Sequence, residues 1–510
     1  MENKKKSIDR YSIIQKIFLF APLMLVLGVR KTLDNDTYWI IKTGEYITKH
    51  GIPTKDFLTM HKTMDLVVQQ WLSDVIYYKL YHTFGTAGPI ALAMIMYIVI
   101  IGLIIKLNKT LGSGKLASSL ATLYIGVMMY AYAVTRPQIF TYAIILIELI
   151  CLESYVKKGK WQYLIPLPIL SVLEVNLHAS MYTMLFIMML PYIANAIPIK
   201  IKKKSIACCK LLPLLATAAV MIGTGFLTPY GIKGMSFIFT ASVGNKVNSD
   251  ISELTPITVS PKEAMWMLGI LLVIICYVLY FRITKKPAPI RYHLLIVGTM
   301  IMGLAYRKLT PYFLIGGITV AAALVRDYKI PIKKKFEDPK FNKVIGTEIM
   351  AIMVILIALT IYSPQISLFT NNSGSDKNAR TNIEQLDDTI KVLDKEDKDN
   401  MVLFNGFNTG AYLEFKGYTT YIDPRADSFI VEANHEFDYL TEYKNAQAGD
   451  MYYKDFVNKY HFTHLLIENK VETPLLTSLS HDSNYKILYE NDRYTLFKAV
   501  KYGITKNLQR

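Results

Sequence analysis

The sequence predicts an α-helical polytopic membrane protein of about 11 spans, amino terminus inside and carboxyl terminus outside, ending in a small α/β domain. Three observations predict it. Apolar stretches recur at close to membrane length; every short loop rich in Lys and Arg falls on one side; and polar residues that hydrocarbon does not hold without a use gather on the other. Those residues are Asp34, Asp36, Arg136, His178, Glu253 and Arg307.

Composition agrees with that class. Of 510 residues 52% are hydrophobic and 19% charged, and mean hydropathy is +0.27, which is too apolar for a soluble chain of this size. The net charge of +17 is not a nucleic-acid signal. Residues 364–510 carry 17 Lys/Arg against 22 Asp/Glu, so the whole excess lies in the first 363 residues, mostly in short loops between apolar runs. That is the positive-inside bias, which sets orientation and binds no polyanion. The four cysteines form no disulfide framework: Cys208 and Cys209 are adjacent, and Cys151 and Cys276 sit inside apolar runs.

Taken in order, Lys4, Lys5, Lys6 and Arg10 precede an apolar run over 11–29 that lacks a small-residue cleavage site and is followed by more spans. It reads as an uncleaved first helix rather than a signal peptide. Further spans are expected over 89–107, 117–134, 138–155, 161–178, 181–197, 206–227, 264–281, 292–306, 311–325 and 345–362. The basic loops 106–115, 157–160, 200–204, 282–291 and 326–340 then all lie inside. The first outer loop, 31–88, has helical periodicity around Tyr38–Ile47 and again from Trp71 to Phe84, giving two amphipathic helices suited to the membrane interface. The chain divides into a membrane domain (1–363), a polar linker (364–400) with a helix near 383–393, and an extracytoplasmic α/β domain (401–510). In that last domain, strands are expected at 401–404, 418–422, 464–467, 485–489 and 494–497, the last two as a hairpin, with a helix at 450–460.

The candidate chemistry lies at the outer face. Asp34 and Asp36 follow the first span and precede a helix containing Trp39. Such carboxylates act as a general base to a hydroxyl, hold a divalent cation, or simply cap a helix. Arg136, Arg307 and Lys308 break the positive-inside trend; each either snorkels or binds an anion such as a lipid phosphate. His178 ends the fifth span, with Glu174 and Asn176 polar within or near hydrocarbon. Such groups serve function or join helices by hydrogen bonds. No Walker A, dinucleotide fingerprint, HExxH or paired CxxC is present, so no cofactor is indicated; a divalent metal is compatible with the acidic pair.

These residues carry a resemblance. The acidic pair, the run Tyr38-Trp39-Ile40-Ile41-Lys42-Thr43-Gly44-Glu45-Tyr46-Ile47, then His50-Gly51-Ile52-Pro53, Gln70-Trp71-Leu72, Thr135-Arg136-Pro137-Gln138, Asn176-Leu177-His178 and Pro229-Tyr230-Gly231 together resemble bacterial GT-C-type membrane glycosyltransferases. The tail segments 405–413 and 421–427 extend the likeness over nearly the whole chain. The resemblance implies a GT-C-like fold in a bacterial plasma membrane. It implies a sugar donor on a polyprenyl phosphate, used on the outer side, and transfer with inversion to an extracytoplasmic acceptor, an envelope glycan, lipid or protein. Asp34 or Asp36 would be the base, Arg136, Arg307 and Lys308 would bind the donor phosphate, and Trp39, Glu45, Trp71, Asn176, His178 and Glu253 would line the cavity. Gln70 stands where that family's pattern leads one to expect an acid. Two other classes fit the same outer polar groups: a transporter or flippase for a lipid-linked intermediate, and a non-catalytic envelope-assembly subunit.

Overall fold

Apolar runs that satisfy their own backbone become helices, and the sequence of elements follows from them. The structure, a computed structural model, describes residues 22, 32–198, 200–201, 204–205, 207–243, 254–258, 263–285, 287–325 and 382–500. Apart from Pro22, the expected first span lies outside the described residues, as do the expected last span, most of the linker and Glu253. In chain order the helices are Asn35–His50 (α1), Trp71–Phe84 (α2), Ala87–Leu111 (α3), Lys115–Tyr130 (α4), Gln138–Lys158 (α5), Pro166–Leu177 (α6), Tyr182–Ala196 (α7), Leu211–Thr224 (α8), Ile232–Val243 (α9), Ala264–Thr284 (α10) and Ile290–Ala305 (α11). Residues 310–324 continue as one helix whose middle, Phe313–Ile318, is π-helical. The carboxyl-terminal region adds Asn382–Leu393 (α12), Phe407–Phe415 (α13), Tyr439–Ala448 (α14), Tyr453–Tyr460 (α15) and Thr473–Ser480 (α16).

The chain forms two compact units. One gathers the described residues of 22–32, 89–227 and 254–325; the other gathers 33–88, 228–243 and 382–500. In the first unit, Ala87–Leu111, Gln138–Lys158, Ala179–Ala196 and Ala264–Thr284 are long and apolar enough to cross a membrane, and Leu211–Thr224 and Ile290–Ala305 are shorter apolar helices. On α10, Leu271, Ile274, Val278 and Phe281 are each more than half exposed along one side. An apolar stripe of that size belongs against lipid rather than water. This is an integral membrane protein. Arg291 pairs with Glu153 at 2.9 Å, joining the start of α11 to the end of α5.

The second unit holds a four-stranded sheet. Its strands Leu403–Asn405 (β1), His464–Glu468 (β2), Tyr485–Glu490 (β3) and Tyr494–Ala499 (β4) lie in the order β1-β2-β4-β3. β1 runs parallel to β2, while the other two pairings are antiparallel and β3–β4 is the expected terminal hairpin. The helix expected near 383–393 is present as α12 and packs on β3 and β4. The strand expected at 418–422 does not form. Asn405 takes the place of a neighbouring strand there: its Oδ1 accepts from Tyr421 N at 2.8 Å, and its Nδ2 donates to the Ile422 carbonyl at 2.8 Å. A side chain thus satisfies backbone groups that a ladder would otherwise use.

The two helices expected in the first outer loop form where the periodicity puts them and pack antiparallel against each other. They meet at Gly44, where a Cβ would lie 2.0 Å from the Asp74 carbonyl oxygen. α1 also lies along α13, with the Tyr38 ring edge-on to Tyr412 at 4.7 Å.

Candidate functional site

Within the membrane unit, two connections carry Arg136, Arg307 and Lys308. The Tyr132 hydroxyl donates to the Arg307 carbonyl at 3.3 Å, which ties the turn preceding α5, where Arg136 sits, to the turn after α11. Arg307 reaches Glu263 at 2.9 Å, and its backbone N–H donates to the Thr255 carbonyl. Glu263 is nearly buried, so this pair anchors the Arg307 turn. Lys308 is the charged neighbour of the His178 ring. His178 ends α6, its N–H donating to the Glu174 carbonyl at 2.8 Å. Its Nδ1 lies 2.8 Å from the Thr141 hydroxyl, which donates to Glu174 Oε1 at 2.6 Å. Asn176 is spent on backbone: its amide donates to the Val172 and Leu227 carbonyls at 2.7 and 2.9 Å, joining α6 to the end of α8. Arg307, Lys308 and His178, with the turn of Arg136, therefore gather in one region of this unit.

The other candidates lie in the second unit. Asp34 is the N-cap of α1, its Oδ1 accepting from Asp36 N at 3.2 Å, and Asp36 stands in the first turn, where the helix dipole favours an acid. Trp39 is half-buried, with its indole N–H enclosed and unpaired among the described residues. Glu45 pairs with Lys42 and Lys49 at 2.9 and 2.6 Å on an open face, and the Lys49 bond leads in holding its carboxyl below the usual range. Trp71 packs on Ile47, Leu66 and Val68.

One group here was not evident in the sequence. Asp74 has no exposure, and its carboxyl is enclosed with the Gln70 side chain beside it. Burial pushes it well above the ordinary carboxylate range. Asp34 and Asp74 both act on the buried Tyr77 phenol, itself raised chiefly by burial. The nearest sequence signal is an Asp three residues after Trp71 on an amphipathic helix.

The segment 51–70 is fastened to the carboxyl-terminal region by a buried charge network. Arg425 binds Asp423 through Nε at 3.0 and 2.9 Å and reaches Asp56 through Nη2 at 2.9 Å. Asp56 also accepts from Thr59 N and Oγ1 at 2.8 and 2.5 Å. Burial alone would raise the Asp56 carboxyl; Arg425 and Thr59 outweigh it and hold it below its ordinary value. His61 donates from Nε2 to the Tyr421 carbonyl at 2.9 Å and stacks on Tyr439, and burial lowers it to about 4. Gln69 donates to Asp427 at 2.6 Å. Among the described residues no three His, Cys, Asp or Glu side chains meet as a metal site.

No family profile and no curated protein matches the sequence. Solved structures do match it. The crystal structure of the Archaeoglobus fulgidus oligosaccharyltransferase tethered to an acceptor peptide containing the NVT sequon aligns with a TM-score of 0.50 at 12% identity, covering 99% of this chain and 76% of that one. The chain is similar in fold to an archaeal oligosaccharyltransferase. The apo form of that oligosaccharyltransferase aligns at 0.48, with the same identity and coverage. The likeness is one of fold: this chain combines apolar helices with a small sheet-containing region near the carboxyl terminus.

Proposed function

We propose that the protein is an integral-membrane, inverting glycosyltransferase that moves a sugar from a polyprenyl-phosphate donor to an extracytoplasmic acceptor. The observation that carries this reading is the gathering of Arg307, Lys308 and His178 with the Arg136 turn, held in one region of the membrane unit by the Tyr132–Arg307 bond. A cluster of cations on turns at the ends of apolar helices suits a phosphate borne on a lipid, since guanidinium and ammonium groups form charge-assisted bonds to phosphate oxygens. The oligosaccharyltransferase fold supports the same reading, its solved relative being bound to an acceptor peptide. In this mechanism Arg136, Arg307 and Lys308 hold the donor phosphate and stabilise the charge that grows on it as the glycosidic bond breaks. Asp34 or Asp36 takes the proton of the attacking acceptor hydroxyl. Attack opposite the leaving phosphate inverts the anomeric carbon.

The test is transfer of radiolabelled sugar from a panel of polyprenyl-phosphate sugars by the purified protein, beside the Asp34→Asn/Asp36→Asn double variant. Transfer by wild type that drops at least about 100-fold in a folded, membrane-inserted variant is the expected result. Equal transfer by both proteins would sink the assignment of the base. The absence of transfer from every donor would favour a flippase or an assembly subunit.

A further inference from the structure

The ring of His178 sits at the end of a hydrogen-bond chain that begins at a wholly buried carboxyl. Glu174, on α6, has no exposure; its Oε1 accepts from the Thr141 hydroxyl of α5 at 2.6 Å, while Oε2 is enclosed without a partner among the described residues. Glu148, seven residues after Thr141 on α5, is the nearest like charge, and Lys308 is the cation that faces the His178 ring. Thr141 is itself fully buried, so water does not compete for its proton.

We propose that Thr141 and Glu174 are positioning residues that fix His178 in its Nδ1–H tautomer, so that Nε2 presents a lone pair to a hydroxyl of the sugar or the acceptor. The tautomer follows from a count of protons. A threonine hydroxyl has one proton and can accept through its lone pairs. With Glu174 Oε1 unprotonated, Thr141 gives its proton to that oxygen. Facing His178 at 2.8 Å, the hydroxyl is left only to accept, so Nδ1 must carry the ring proton. In the neutral ring Nε2 is then the acceptor. Nε2 has no hydrogen-bond partner among the described residues. A lone pair repels phosphate oxygens but welcomes an O–H, so within this cluster His178 selects for a hydroxyl while Arg307 and Lys308 suit the anion. The hydroxyl-binding role rests on the glycosyltransferase reading; the tautomer does not.

The experiment is nitrogen-15 NMR of histidine-labelled full-length protein in lipid nanodiscs, with His178→Asn assigning the signal. Wild type is expected to show a protonated Nδ1 and a pyridine-like Nε2. Thr141→Val keeps the side-chain shape but removes the relay. Its ring should revert to the Nε2–H form that free neutral imidazole prefers, and kcat for sugar transfer should fall about 10-fold or more. KM for the lipid donor should stay within about twofold, because the phosphate contacts remain. Thr141→Ser should restore both tautomer and kcat, and Glu174→Gln, which keeps the accepting oxygen, should preserve the tautomer. An Nε2–H ring in wild type would overturn the proposal, since it would mean that the chain donates towards His178. An unchanged tautomer in Thr141→Val would overturn it as well. If wild type transfers no sugar, the enzymatic reading fails, and the spectrum still decides the relay.

Discussion

Arg425 is the residue on which the second unit most depends. Its guanidinium neutralises Asp56 and Asp423, both nearly inaccessible, and in so doing holds the first outer loop to the segment after β1. A buried ion pair is itself weak evidence for stability, because desolvation offsets most of the attraction. Removing one partner is another matter. Arg425→Met strands two buried carboxylates and is expected to destabilise the unit by about 3–5 kcal/mol, read as a lowered thermal midpoint in detergent. Replacing Arg425, Asp56 and Asp423 together with Met, Leu and Leu should recover much of that loss, and failure to recover any would mean that the network does more than balance charge. Asp423-Pro424-Arg425 is a salt-bridged turn, but Asp56 lies 369 positions from Arg425 and no local pattern pairs the two.

At the scale of elements, periodicity located α1 and α2 because one face of each is apolar, and the terminal hairpin because Glu490-Asn491-Asp492-Arg493 breaks two alternating runs. The segment 418–422 misled for a physical reason. Tyr418, Tyr421 and Ile422 are buried as a strand's residues would be, yet Tyr418 N donates to the Leu413 carbonyl, Tyr421 and Ile422 pair with the Asn405 side chain, and Met60 N donates to the Thr420 carbonyl at 2.8 Å. Asn405→Ala should leave the Tyr421 N–H and the Ile422 C=O without partners in a buried place. Each such group costs about 1–3 kcal/mol. The expected readout is faster hydrogen exchange at 420–423; unchanged protection there would show that another group satisfies them.

For the molecule as a whole, the expected orientation puts both the first outer loop and the carboxyl-terminal region outside. Orientation can be read directly. In intact cells, a cysteine introduced at the exposed Ser483 should react with a membrane-impermeant maleimide, while Cys208 and Cys209, at the inner end of the span expected over 206–227, should react only after permeabilisation. Labelling of Cys208 and Cys209 in intact cells would reverse the topology.

Hydrophobicity is a local property, so the sequence by itself determined the membrane class, the position of the helices and the cations that stand out against the positive-inside trend. Amphipathic period likewise determined the helices of the first outer loop. What only the tertiary structure decided is which of these polar groups meet. The chain Glu174–Thr141–His178 joins two helices, the Asp56–Arg425 pair joins segments from opposite ends of the sequence, and Asp74 reveals itself only when α1 closes over it at Gly44. Burial and hydrogen bonding between distant residues are properties of packing, and a linear pattern carries no record of them.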